Sequence, residues 1–191
     1  MNLGTIKIIT LLFFITSLPF LNNKTEKKVE IQEATVTWKA YKVIGFHEGT
    51  VNLKEGHFTF DNDQLTGGTI TMDIASLVVT DLPIDKRGRV EDHLKSDDFF
   101  STETYPTSTL QITNVKGEKG KYVVTGDLTI KNITNPITFN LDIVDNVATT
   151  ALKIDRTKFD IKFRSASFFD GLKNRAIDNE FDINVSLKFG N

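Results

Sequence analysis

FDINVSLKF, from Phe181 to Phe189, decides the fold class. Phe181, Ile183, Val185, Leu187 and Phe189 fall on one side of an extended chain. Asp182, Asn184, Ser186 and Lys188 fall on the other, and that period of two is what a half-buried β-strand requires. The same alternation recurs towards the N-terminus in Phe159/Ile161/Phe163, Ile137/Phe139/Leu141/Ile143 and Ile70/Met72/Ile74. Shorter runs are Leu152/Ile154, Leu128/Ile130, Leu110/Ile112, Phe58/Phe60 and Val51/Leu53, and Ala34/Val36/Trp38 opens the series. Turn-forming residues stand between them at Glu55–Gly56, Asp61–Asn62–Asp63, Gly117 to Gly120, Asn135–Pro136 and Asp145–Asn146. Connections this short join antiparallel neighbours, because a parallel crossover needs a dozen residues or more. About ten short strands therefore predict an all-β barrel or sandwich, two architectures that periodicity alone does not separate.

One stretch breaks the pattern. Between Leu82 and Pro106, Val90 and Leu94 stand four apart, which predicts a short helical insertion around residues 84–100. Ser96 ahead of Asp97 and Asp98 reads as the N-cap of a further helical turn.

The chain has 191 residues, which makes one domain the default. Residues 1–22 read as a secretory leader, with Lys7 ahead of the apolar run Ile8 to Leu21, and an uncleaved anchor is the weaker alternative. The domain then occupies residues 23–191, in a periplasmic or secreted protein. With no Cys, disulfides, thiolate metal sites and thiol nucleophiles are excluded. A net charge of −2 with both signs interspersed offers no footprint for nucleic acid.

The candidate chemistry is sparse. His47, His57 and His93 have no partner at metal-ligand spacing, and no Gly-x-Ser-x-Gly elbow is present. Gly67–Gly68 lacks the Lys and helix of a phosphate loop and reads as a bulge in a curved sheet. Arg156 follows Asp155 at the end of an apolar run. A structural Arg–Asp pair is the first reading, and a polar contact for a ligand head group at a barrel mouth is the second.

Three longer stretches carry a family resemblance: DHLKSDDFFSTETYPTSTL from Asp92 to Leu110, GDLTIKNITNPITF from Gly126 to Phe139, and the opening VTWKAYKVIGFHEGTV. Together with IDRTKFDIKFRSASFF and AIDNEFDINVSLKF they resemble the bacterial YceI-like family, the lipocalin-like polyisoprenoid-binding proteins, over about residues 30–189. Many members begin the first strand with a His-Ser pair, where this chain has Gln32-Glu33-Ala34-Thr35, so any ligand contact from that His is missing. The resemblance implies an extended eight-stranded antiparallel barrel enclosing a tunnel for an isoprenoid or other long-chain amphiphile. It brings no catalytic residues, no metal and no cofactor beyond such a bound chain.

The expected tunnel lining is Val36, Trp38, Phe46, Phe58, Phe60, Ile70, Met72, Leu110, Ile112, Leu128, Ile130, Phe139, Leu141, Phe159, Ile161 and Phe163, with His47 and Arg156 as polar contacts. An eight-stranded barrel is just wide enough to be filled by these side chains or to hold one small ligand. The two outcomes separate a non-enzymatic lipid binder, for transport or storage, from a secreted interaction module with a solid interior. Each buried CH₂ is worth about 0.8 kcal/mol against an association cost of roughly 4–15 kcal/mol, so a binder should favour long chains and care little about the head group. A long-chain lipid is the expected partner. Transient membrane contact and homodimerisation stay open.

Overall fold

The computed structural model describes residues 26–190. Eight strands follow one another around a closed barrel: β1 (Glu26–Lys42), β2 (Phe46–Asp61), β3 (Gln64–Val79), β4 (Thr107–Glu118), β5 (Lys121–Ile130), β6 (Ile133–Val144), β7 (Val147–Asp155) and β8 (Ile177–Phe189). Neighbours are antiparallel throughout, and β8 pairs with β1, Val185 opposite Val36, to close the ring. The leader reading falls on residues outside those described.

The runs in the sequence become eight strands by two corrections. Val51/Leu53 and Phe58/Phe60 belong to one long strand, β2, whose register against β3 shifts between Leu53 and Glu55. The Glu55–Gly56 turn is therefore absent, and Gly56 lies within the ladder opposite Ile70. Phe159/Ile161/Phe163 is not a strand. Asp155 Oδ1 accepts from the backbone N–H of Thr157 (3.0 Å) and starts a 3₁₀ turn, Arg156–Phe159, which ends at Asp160 in the left-handed region (φ 58°).

Two-residue turns join four strand pairs, and both central residues have positive φ in each: Asn62–Asp63, Lys119–Gly120, Lys131–Asn132 and Asp145–Asn146. This is the primed geometry that matches strand twist. Asn135–Pro136, by contrast, is no turn but part of β6, with Pro136 opposite Asp127. Counting from the Ile130↔Ile133 pair that closes the hairpin, Pro136 falls at a position not hydrogen-bonded to β5, so its nitrogen faces β7. There it interrupts nothing, because β6 and β7 pair only at Asp142↔Thr149, Ile143↔Ala148 and Val144↔Val147. Beyond that point the two strands diverge, and a single side-chain bond, Thr150 Oγ1 to the Asn140 carbonyl at 2.6 Å, extends the contact.

The Gly67–Gly68 bulge is present. The β2–β3 register steps from Thr59↔Gly67 to Phe60↔Leu65, leaving Thr66 as the extra residue. A Cβ on Gly68 would lie 2.5 Å from the His57 carbonyl oxygen, so only glycine lets the strands approach this closely.

The two ends of the barrel differ. At the end carrying the turns 62–63, 119–120 and 145–146, the rings of Phe58, Phe60 and Phe189 pack with centroids 5.3–6.3 Å apart. Leu65, Tyr122 and Val124, all buried, complete a solid plug. Across the other end lies α1 (Ile84–Lys95), held to β3 where Glu91 Oε1 accepts from the Val79 N–H (2.9 Å). Ser96 opens a hydrogen-bonded turn over 97–100, its carbonyl accepting from the Phe99 N–H (3.0 Å), but no further helix forms and its side chain caps none. The residue ends α1, its hydroxyl donating to the carbonyl of His93 (2.8 Å), one of the acceptors a helix C-terminus leaves unpaired.

Candidate functional site: a blind apolar cavity and its vestibule

The interior between plug and helix is hollow. A cavity of about 190 Å³ is walled by side chains from all eight strands. Because alternate residues point inward, β8 contributes Phe181, Ile183, Val185 and Leu187. Phe58 forms the floor, and Leu94, Phe99 and Phe100 cover the helix end. Among the described residues, the polar ones on this wall are Ser108, Thr150, Arg156 and Asp178. The hollow stops at the aromatic plug and so is a blind pocket, not a tunnel.

Twelve of the residues expected as lining lie on this wall: Val36, Trp38 and Phe58; Ile70, Met72, Leu110 and Ile112; Leu128, Ile130, Phe139 and Leu141; and Ile161. Four lie elsewhere. Phe46 is exposed at the rim, its ring 3.6 Å beneath the Lys39 ammonium. Phe60 belongs to the plug. Phe159 is buried against Ile130 and Ile154 in the packing around the 3₁₀ turn. Phe163 stacks edge-on against His93 at 4.7 Å, outside the pocket. Ile137, Leu152, Ile154 and the inward β8 residues complete the wall, at positions that the alternation in β6, β7 and β8 marks as inward. The sequence marks Leu94, four residues after Val90, as the apolar side of a helical insertion and Phe99–Phe100 as packing onto the sheet, but not their closing of the barrel end.

Arg156 reaches the wall in a way that spacing does not suggest. It is buried, and instead of pairing with Asp155 it donates from Nε to the Asp178 carbonyl (2.9 Å), from Nη1 to Ile161 (2.7 Å) and from Nη2 to Ile177 (3.0 Å). The Asp155 carboxylate is occupied by Thr157. Burial lowers the guanidinium pKa, and the negative charges of Asp155 and Asp178 work against that shift. The cation thus ties the end of the 3₁₀ turn to the start of β8.

Outside the cover lies a second hollow, a vestibule of about 410 Å³. Trp38, Ala40, Leu94, Phe99 and Ile177 border both spaces and form the partition between them. His47 lines the vestibule and not the inner cavity. Its Nδ1 lies 2.9 Å from Asp81 Oδ2 and its Nε2 2.8 Å from Lys42 Nζ. Lys42 has only protons to offer, so Nε2 accepts and Nδ1 carries the hydrogen given to Asp81. Burial pushes the Asp81 carboxyl up, but the Glu48 N–H and the His47 ring outweigh it and hold the pKa below its ordinary value. The ionised form therefore stabilises the fold above the unfolded pKa, and that contribution is lost as pH falls through the lower folded value. Asp81→Asn is expected to cost about 1 kcal/mol near pH 7. It should also flatten the loss of stability between about pH 5 and 3. Urea midpoints for both proteins across that range provide the check, and parallel curves would exclude the effect.

Comparison with known proteins places this geometry. The YceI-like domain model matches residues 26–189, the whole barrel. The chain belongs to the YceI-like family. A UPF0312 protein of Photorhabdus laumondii is 41% identical over 98 residues, which is 50% of this chain and 48% of that protein. Protein YceI of Escherichia coli O157:H7 is 33% identical over 98 residues, again 50% and 48%. The alignment spans about half the length of these curated relatives. Burkholderia cenocepacia BcnA shares the fold of this YceI-like chain with a TM-score of 0.61 at 20% identity, over 83% of this chain and 96% of that one. A polyisoprenoid binding domain from Saccharophagus degradans, described as implicated in plant cell wall breakdown, has a TM-score of 0.58 at 12% identity, over 85% and 97%.

Proposed function

We propose that this YceI-like barrel is a non-enzymatic binder of one long-chain amphiphile, an isoprenoid or acyl chain, whose tail occupies the inner cavity. The observation that carries the reading is that the barrel interior holds a cavity walled by side chains from all eight strands, nearly all of them apolar. A module with a solid interior would instead have filled this space. The polyisoprenoid binding named for the Saccharophagus degradans neighbour agrees with the reading. A periplasmic or secreted carrier or store is the setting proposed for it.

Magnitudes set the ligand's length. At the ~10–15 Å³ filled by one water-sized sphere, the cavity has room for roughly a dozen methylene-sized groups or a few more. A methylene worth about 0.8 kcal/mol changes affinity roughly fourfold. Twelve would gain about 10 kcal/mol, which lies within the ~4–15 kcal/mol cost of association. Chains much shorter than that should hardly bind.

Two measurements test the proposal. Organic extraction of freshly purified protein followed by mass spectrometry is expected to release a long-chain molecule at near-stoichiometric yield. Displacement of a neutral fluorescent probe by a series of linear alcohols should improve about fourfold per carbon. The gain should level off once the cavity is full. An affinity indifferent to chain length would overturn the assignment.

A further inference from the structure

We propose that the vestibule binds an anionic group, a carboxylate or a phosphate, carried at the end of the chain whose tail fills the inner cavity. This deepens the tail-binding reading and rests on it, and it replaces the indifference to head group expected from burial alone. Lys42, His47, Arg89, His93, Arg164 and Arg175 all line the vestibule, and no Asp or Glu does. The whole chain carries 25 acidic against 23 basic residues, so a hollow lined by cations and no acids is a local departure from the composition.

The cations come from four separate places: Lys42 from the end of β1, Arg89 from α1, Arg164 from the loop after the 3₁₀ turn, and Arg175 from the segment leading into β8. Two carboxylates paired to the lining histidines are already engaged, Asp81 by His47 and Asp98 by His93, both at 2.9 Å. Among the described residues, the guanidinium groups of Arg89, Arg164 and Arg175 have no carboxylate partner; Arg164 only stacks over the Phe163 ring at 5.1 Å. Guanidinium groups free to donate in pairs suit carboxylate and phosphate oxygens better than a neutral hydroxyl. Leu94, Phe99 and Phe163 supply an apolar floor, which strengthens the field that those charges set up. The partition that the two spaces share puts the basic hollow directly beyond the apolar one. A ligand crossing it has a tail on one side and a charged end on the other.

The test compares hexadecanoate, hexadecyl phosphate and hexadecanol, which have the same tail, as displacers of the neutral dye N-phenyl-1-naphthylamine from the full chain. At low salt the two anions are expected to bind at least about tenfold tighter than the alcohol, and the gap should narrow as salt rises. Combined Arg89→Gln, Arg164→Gln and Arg175→Gln substitutions, all at exposed positions, should bring the anions down to the affinity of the alcohol. Equal affinity of acid and alcohol for the native protein would overturn the proposal, as would a gap that the triple variant leaves intact. If no sixteen-carbon chain displaces the dye, the tail-binding reading fails, and with it the claim that the anion is carried on a chain. Inorganic phosphate titrated calorimetrically then shows what the vestibule does alone. Binding that the triple variant loses supports an anion site fed from free solution, and no binding overturns the site altogether.

Discussion

Arg156→Met is expected to lower the free energy of unfolding by about 3–5 kcal/mol, the range seen when one partner of a buried charged network is removed. The reason is geometric. Nε, Nη1 and Nη2 of this buried side chain each donate to a different backbone carbonyl, those of Asp178, Ile161 and Ile177. Methionine fills much of the same volume but leaves three acceptors with nothing to bond, and each such loss costs about 1–3 kcal/mol. Arg156→Lys should recover only part of the deficit, because an ammonium on a flexible stem cannot reach three carbonyls in the planar fan a guanidinium provides. Denaturant midpoints for the native protein and both variants measure the series. If methionine is tolerated within about 0.5 kcal/mol, the mouth is held by something other than this side chain.

The second large effect concerns capacity. Val36 and Val185 face each other across the β1–β8 ladder and both line the hollow. Replacing both with phenylalanine puts two rings into space now vacant. If the rings take the place of about four methylenes, the longest chains lose roughly 3 kcal/mol, about a 200-fold drop in affinity. Short chains should be far less affected, so the length at which affinity levels off moves down. Stability supplies the internal control. Added bulk in a packed core costs about 1–3 kcal/mol, whereas here it fills a void and should leave the unfolding midpoint level or raise it. Weaker binding together with lower stability would mean that the barrel was distorted, not filled.

Much of this molecule could be read from residue types alone. Alternation in FDINVSLKF and its counterparts fixes which side chains face inward, because strand geometry leaves no choice about the period. The errors have local causes. Phe159, Ile161 and Phe163 alternate as a strand would, but Asp155 captures the Thr157 N–H and turns the chain before a ladder can form. Asn135–Pro136 has the composition of a turn, yet proline is admissible in a strand at a position whose nitrogen needs no partner. The register shift within β2 hides in a run of ordinary residues. Phe60 satisfies the same pattern as Phe58 but lies two residues nearer the 62–63 turn, in the plug. The vestibule was the least legible part. Its cations lie far apart along the chain, and each taken alone resembles a solvated surface residue. Only closure of the barrel brings β1, α1 and the approach to β8 to one rim.

The parting of β6 from β7 bears on how wide the tube can become. In a cylinder stitched all round, admitting a thicker guest means stretching or breaking backbone bonds. Here the stitching stops at Asp142 and Thr149, and Pro136 brings no hydrogen on that side with which to resume it. The girth is thus set along this one line by side chains in contact, and these can slide apart at far smaller cost than a ladder can be unzipped. If the hollow takes the proposed amphiphile, this seam is where the wall would give when a chain studded with methyl branches replaces a smooth one.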